Sequence, residues 1–135
     1  HRGLRDIVEV RITLDNALAE PVTQTWKNRQ DTELDQIVAQ MDVHAQKGEL
    51  FTEQDRRFHI RLLEPLDNHL FLHLTEAFWA VHTLTVPLLG APRPEDMLSA
   101  ARAHRTMLQA ARAGDAQAYR EAITDHYAPL LAALT

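Results

Sequence analysis

Cysteine is absent from the 135 residues, which removes disulfides, cysteine-ligated zinc, iron–sulfur clusters and thiol catalysis together. Any metal held by this chain must be bound through nitrogen and oxygen. Glycine is scarce, at four residues, and no stretch alternates apolar and polar residues between turn signals as a half-buried strand does. Positive charge is not in excess either: 14 Lys and Arg stand against 19 Asp and Glu, a net charge of −5 with histidine neutral. Non-specific affinity for nucleic acid comes from Lys and Arg displacing counterions, so this segment alone is not expected to grip DNA. No apolar run approaches the roughly 20 residues of a membrane span, and the start, His1-Arg2-Gly3, lacks the apolar core of a signal peptide. These absences describe a soluble, cytoplasmic domain with no membrane partner. A first residue of His and not Met fits a segment of a longer chain whose N-terminal portion lies outside it.

What is present is enough apolar surface, 45% of residues, for one core in a single domain over 1–135. Apolar residues recur at helical spacing nearly everywhere, which predicts an all-α fold of six or seven helices. The first helix is expected from Leu4 toward Lys27, bent at Pro21 because proline lacks the N–H that a helix interior requires. A second starts at Asp31 or Thr32 and stops at Lys47-Gly48; a third is capped by Thr52 and ends between Pro65 and Asn68. The fourth, Asn68 to Leu88, carries Leu70, Phe71, Leu74, Phe78, Trp79 and Val81 around more than one face, which points to burial on several sides or to a subunit interface. Residues 87–94 hold three prolines and a glycine and read as a loop, with Pro94 opening the next helix. That helix stops at Gly114, Asp115 caps the last one, and the two form an antiparallel hairpin.

The residues that could carry chemistry are an aspartate and histidines. Asp55 and His59 stand four apart on the third helix, so they project from one face one turn apart and can share an ion. A solvated pair or an Asp–His hydrogen bond is the plainer reading of that spacing. His104 and His126 strengthen the metal reading because their midpoint is Asp115, the predicted turn: residues equidistant from a hairpin turn lie side by side. Met107, Leu108, Ala122 and Ile123 beside them place that level of the hairpin against the core. One carboxylate and three imidazoles suit Zn, Ni, Fe, Co or Mn as a divalent ion and leave a coordination position open. His82, on the apolar fourth helix, can face the same cavity and bond an effector or support a ligand; a partly buried histidine without function is the alternative. Trp79, Phe78 and Phe58 read as core, and His44, His69 and His73 as solvent-facing or helix-end residues.

The stretch FTEQDRRFHIRLLEPLDNHLF, followed by a Leu-rich helix, resembles the D-x-x-F-H segment of the FCD domain, the effector-binding C-terminal domain of FadR-type regulators in the GntR family. AHRTMLQAARAGDAQAYREAITDHYAPLL resembles that family's closing pattern, and RDIVEVRITLD its start. The resemblance implies an antiparallel bundle binding a metal through Asp55, His59, His104 and His126, beside a small organic acid effector. It further implies a homodimer, and operator DNA reached only through a preceding winged helix-turn-helix domain. Two positions depart from the pattern. Ala103 stands where a Glu usually precedes the third ligand, and the usual Arg and Glu of the first helix are best matched by Arg11 and Asp15. Arg11 is thereby an expected effector contact, since a guanidinium can clamp a carboxylate bidentately; a surface cation is the alternative.

Three functions compete on these grounds. A regulator's sensing domain binds its ligand without turnover. A metal-dependent hydrolase or oxygenase would use the open metal position to activate water or dioxygen, and would want a general base that the sequence does not place beside the histidines. A purely structural dimerisation module would leave the histidines incidental.

Overall fold

The computed structural model describes residues 2–135. His1, the first residue of the expected 1–135 domain and of the stretch compared with a signal peptide, lies outside them. Among the described residues there are seven α-helices, two 3-10 turns and no strand: α1 (Arg2–Ala17), α2 (Ala19–Trp26), α3 (Thr32–Gln46), α4 (Thr52–Leu63), α5 (His69–Thr85), α6 (Pro94–Ala113) and α7 (Ala116–Ala133). The 3-10 turns, Glu64–Leu66 and Val86–Leu89, follow α4 and α5. The all-α expectation holds, and no described helix is long and apolar enough to cross a membrane.

Several boundaries follow from identifiable caps. The Asp31 carboxylate accepts from Leu34 N, Asn68 from Leu70 N and Phe71 N, and Asp115 from Ala118 N, each satisfying a donor that a helix start leaves orphaned. Gly114 takes φ +70° to end α6, where a side chain would be strained and would also meet Lys27. Other boundaries differ from the expected ones. The first helical stretch breaks at Leu18, not at Pro21, because Pro21 falls in the first turn of α2, where its missing N–H is no loss. Phe51, not Thr52, is the N-cap of α4 and makes no side-chain cap bond; its ring is buried, so packing took the position a hydroxyl would have used. The expected loop begins late, since Val86–Leu89 continues α5 as a 3-10 turn.

The core lies between α6–α7 and the helices laid across them: α2 packs on both, α3 on α6, and α1 on α7. Trp26, fully buried, donates its indole N–H to Leu62 O at 2.9 Å, which satisfies a carbonyl in the last turn of α4 and docks α2 on it. Arg61 binds Asp31 through two N–H bonds, at 2.8 and 3.3 Å, and so ties α4 to the start of α3. α5 is the exception to burial. Only Thr75 and Trp79 on it are buried, while Leu70, Leu84 and, just beyond it, Leu88 are more than 60% exposed, so burial of this helix on several sides within the chain does not occur.

The α6–α7 hairpin carries two of the candidate site residues, and its turn is set by Asp115. Asp115→Ala is expected to lower unfolding free energy by about 1 kcal/mol through loss of the cap. Urea unfolding followed by circular dichroism should show a lower midpoint at unchanged slope.

Candidate metal centre

α4, α6 and α7 bring Asp55, His59, His104 and His126 to one point, their donor atoms all within 4.8 Å of one another. Asp55 and His59 share a face of α4, and the hairpin places His104 and His126 at one height. Asp55 Oδ1 lies 2.7 Å from His104 Nε2, 3.1 Å from His59 Nε2 and 3.7 Å from His126 Nε2. His126 Nε2 lies 3.1 Å from His59 Nε2 and 3.0 Å from His104 Nε2. Ligands about 2.0–2.1 Å from one ion are separated by about 3.4 Å in a tetrahedron and about 3.0 Å at adjacent octahedral corners. The observed spacings bracket those edges, so the four donors could hold one transition-metal ion with little movement.

The ring orientations are built into the core. His104 is wholly buried, held edge-on by Phe58 at 5.0 Å and Phe51 at 6.2 Å between ring centroids. Its Nδ1 donates to Ala100 O at 2.7 Å, since a carbonyl can only accept. That bond turns Nε2 toward the cluster, where it can donate to Asp55 at 2.7 Å or, in the neutral ring, offer the lone pair that a metal needs. Support for this histidine therefore comes from the backbone one turn back, and not from the neighbouring position, where Ala103 is buried. His59 packs edge-on against Phe58 and obliquely against Trp79.

Electrostatics match this picture. Burial works against ionisation of Asp55, but the attraction of His104 and hydrogen bonds from His104, His126 and His59 overcome it and hold the carboxyl well below its ordinary range. Burial, then the neighbouring His104, pushes His126 down to about 3, so its ring is neutral at physiological pH. Its Nδ1 is buried without a partner.

Arg11 and His82 also meet here. Arg11 is 4% exposed, its Nη1 lies 3.2 Å from His82 Nδ1, and its guanidinium stands over the Trp79 and Tyr127 rings at 4.9 and 5.2 Å. Among the described residues no carboxylate lies within ion-pairing distance of it. Asp15, its expected companion one turn on, instead accepts the Tyr127 hydroxyl at 2.6 Å. Arg11, His82, Asp55, His104 and His126 all line one cavity of about 670 Å³. Tyr127 and Pro129 are participants that sequence reasoning did not single out, and Trp79 is one that it assigned to the core alone. Tyr127 follows His126 directly and Pro129 interrupts α7 beside it, so both carried a signal; Trp79 read as core and is core, yet its indole N–H is buried without a partner and its ring supports Arg11. His69 and His73 are exposed, as read.

Fold and cluster together define a class: a helical domain whose nitrogen and oxygen donors open on a ligand-sized cavity. The chain belongs to the FCD domain family, which matches residues 6–129. It is 51% identical over 86 residues to NedR of Micromonospora viridifaciens, described as a candidate transcriptional regulatory protein. That match takes in 64% of this chain and 62% of NedR, so the chain spans less than two thirds of that relative's length. No solved structure gives a significant match.

His82 gives a pH dependence that can be read in stability. Burial, then the charge of Arg11, lowers it from 6.5 to about 4. Between those values the unfolded chain binds a proton that the folded one refuses, so this contribution is complete above pH 6.5 and is lost as pH falls toward 4. In His82→Asn, unfolding free energy should fall less steeply across that window than in the parent, measured by denaturant titration at a series of pH values.

Proposed function

We propose that this chain is the effector-binding domain of a FadR-type transcription regulator of the GntR family. In this reading it holds a divalent transition metal, one of Zn, Ni, Mn, Fe or Co, through Asp55, His59, His104 and His126. A small organic acid binds beside the metal. The observation that carries the reading is the convergence of these four donors at one point, with Asp55, His104 and His126 on the wall of a cavity that also contains a buried guanidinium without a carboxylate partner. Family membership supports the regulatory role, and the name of the NedR relative points the same way.

When bound, the metal supplies a Lewis-acid position for an acid's carboxylate oxygen. The chain's own residues do the rest. Asp55 contributes one negative charge and the imidazoles none when neutral, so a divalent ion plus Arg11 leaves the site electropositive. Arg11 presents its fork to the carboxylate, held in place by the Trp79 and Tyr127 faces. His82 accepts from Arg11 through Nδ1 and keeps Nε2–H as a donor. Because Arg11 and Asp15 belong to α1, an acid that engages Arg11 acts on the first helix of the domain, which an upstream DNA-binding domain would join. Preferential binding to one arrangement of α1 would then bias the position of that domain on operator DNA.

Homodimerisation has a surface to use: Leu70, Leu74 and Leu84 fall on one stripe of α5 and are exposed. The site of action in this reading is the cytoplasm. A hydrolase would need an uncommitted base, whereas Asp15 is engaged by Tyr127 and Asp96 by Arg93.

His104→Ala is expected to drop metal from one ion per chain to a small fraction, read by elemental analysis of protein purified without chelator; full retention sinks the proposed ligand set. Arg11→Met should keep the metal and weaken carboxylate binding by roughly ten- to a hundredfold, the loss typical of a charged hydrogen bond, measured by calorimetry.

A further inference from the structure

The cavity beside the cluster is larger and more apolar than a small acid requires. At about 670 Å³ it lies within the roughly 300–1,000 Å³ typical of sites for drug-sized ligands. An acid of two to four carbons would leave most of that space as water against an apolar wall, an unfavourable arrangement. The wall is formed by Leu50, Val86, Leu89, Met97, Leu130 and Ala133, drawn from the connection before α4, the 3-10 turn after α5, α6 and the end of α7.

The side-chain polar groups of the cavity are almost all committed elsewhere or gathered at the cluster. Thr83 donates its hydroxyl to Trp79 O at 2.8 Å. The Tyr127 hydroxyl is taken by Asp15. Arg93, exposed, pairs with Glu95 at 2.6 Å and Asp96 at 3.6 Å. Thr52, at the start of α4, is the remaining hydroxyl. A polyhydroxylated acid, or one with a second and third carboxylate, would therefore bury polar groups against carbon with few partners, each group left unsatisfied weakening binding by about five- to a hundred-and-fiftyfold.

We infer that the effector is a monocarboxylic acid with an apolar body, aliphatic or aromatic, whose carboxylate lies at the Arg11 and Asp/His cluster and whose body runs along the wall from Met97 to Leu130. This inference rests on the acid-binding reading above and names the class of acid. Head and body are recognised separately: the charge by α1 and the donors of α4, α6 and α7, the body by the 3-10 turn and the flanking ends of α6 and α7.

Calorimetry on the chain supplied with Zn²⁺ tests it with acetate, butanoate, hexanoate, octanoate, 3-phenylpropanoate, gluconate, citrate and 1-hexanol. Burial of each methylene should tighten binding about fourfold, so Kd falls steeply from acetate to octanoate. Phenylpropanoate should fall among the tight binders, and gluconate and citrate should bind no better than acetate. A flat series, or gluconate or citrate as the tightest ligand, overturns the inference while leaving acid binding in place. 1-Hexanol bound as tightly as hexanoate also overturns it, because the carboxylate would then contribute nothing. Absence of binding by every acid overturns the acid-binding reading and this inference with it.

Discussion

One carboxylate oxygen faced by three imidazole nitrogens is the constraint on which the centre of this molecule depends. Asp55 Oδ1 has His104, His59 and His126 Nε2 within 3.7 Å, and His126 Nε2 is itself within 3.1 Å of the other two. Lone pairs at such distances repel unless protons or a metal ion lie between them. Asp55 accepts from the imidazoles, but His126 Nε2 also faces the Nε2 atoms of His59 and His104 at 3.1 and 3.0 Å, and a neutral His126 has a single ring proton for these contacts. A dication, as proposed above, would satisfy all four donors at once. The surrounding architecture supports the crowding: Phe58 and Phe51 fix the His104 ring, and the Asp115 cap sets the hairpin that brings His104 and His126 level.

Around that cluster the chain places a second unbalanced element, the buried Arg11. A guanidinium 4% exposed and lying over two aromatic rings is held by packing and by a neutral histidine, without a carboxylate to answer its charge. Burying a charge without its counter-ion is costly unless an anion completes it. Asp15, one turn along α1, would have been the natural partner, but the Tyr127 hydroxyl occupies it. That bond ties α1 to α7 next to His126, so α1, the cation and the donor cluster form one connected unit. A carboxylate entering the cavity would meet this unit as a whole, which is how a local binding event can move the first helix.

Local chemistry made much of this legible beforehand. The Asp115 cap, the Gly114 stop and Pro94 at a helix start depend on residues within a turn of one another and appear where the sequence places them; Asp31 takes the cap that the sequence left between it and Thr32, and Asn68 caps the helix it was read as starting. Pairing of Asp55 with His59, and of His104 with His126, follows from helical spacing and hairpin symmetry, which are also local properties. The errors arose where packing competes with local preference. Phe51 took the cap position from Thr52 because its ring is needed in the core, and the break moved to Leu18 because Pro21 fits a first turn without strain.

The sequence by itself determined the all-α class, a count of six or seven helices, the exclusion of sulfur ligands and the two short-range pairs of donors, because periodicity, capping and composition act over a few residues. Only the tertiary structure decided that α4 meets the α6–α7 hairpin so that both pairs share one point. It alone placed Arg11 of α1 beside His82 of α5, 71 residues away. It also made the wall of the cavity from the ends of α6 and α7 and the 3-10 turn after α5. Those are long-range contacts set by how apolar faces interlock, and no spacing along the chain encodes them.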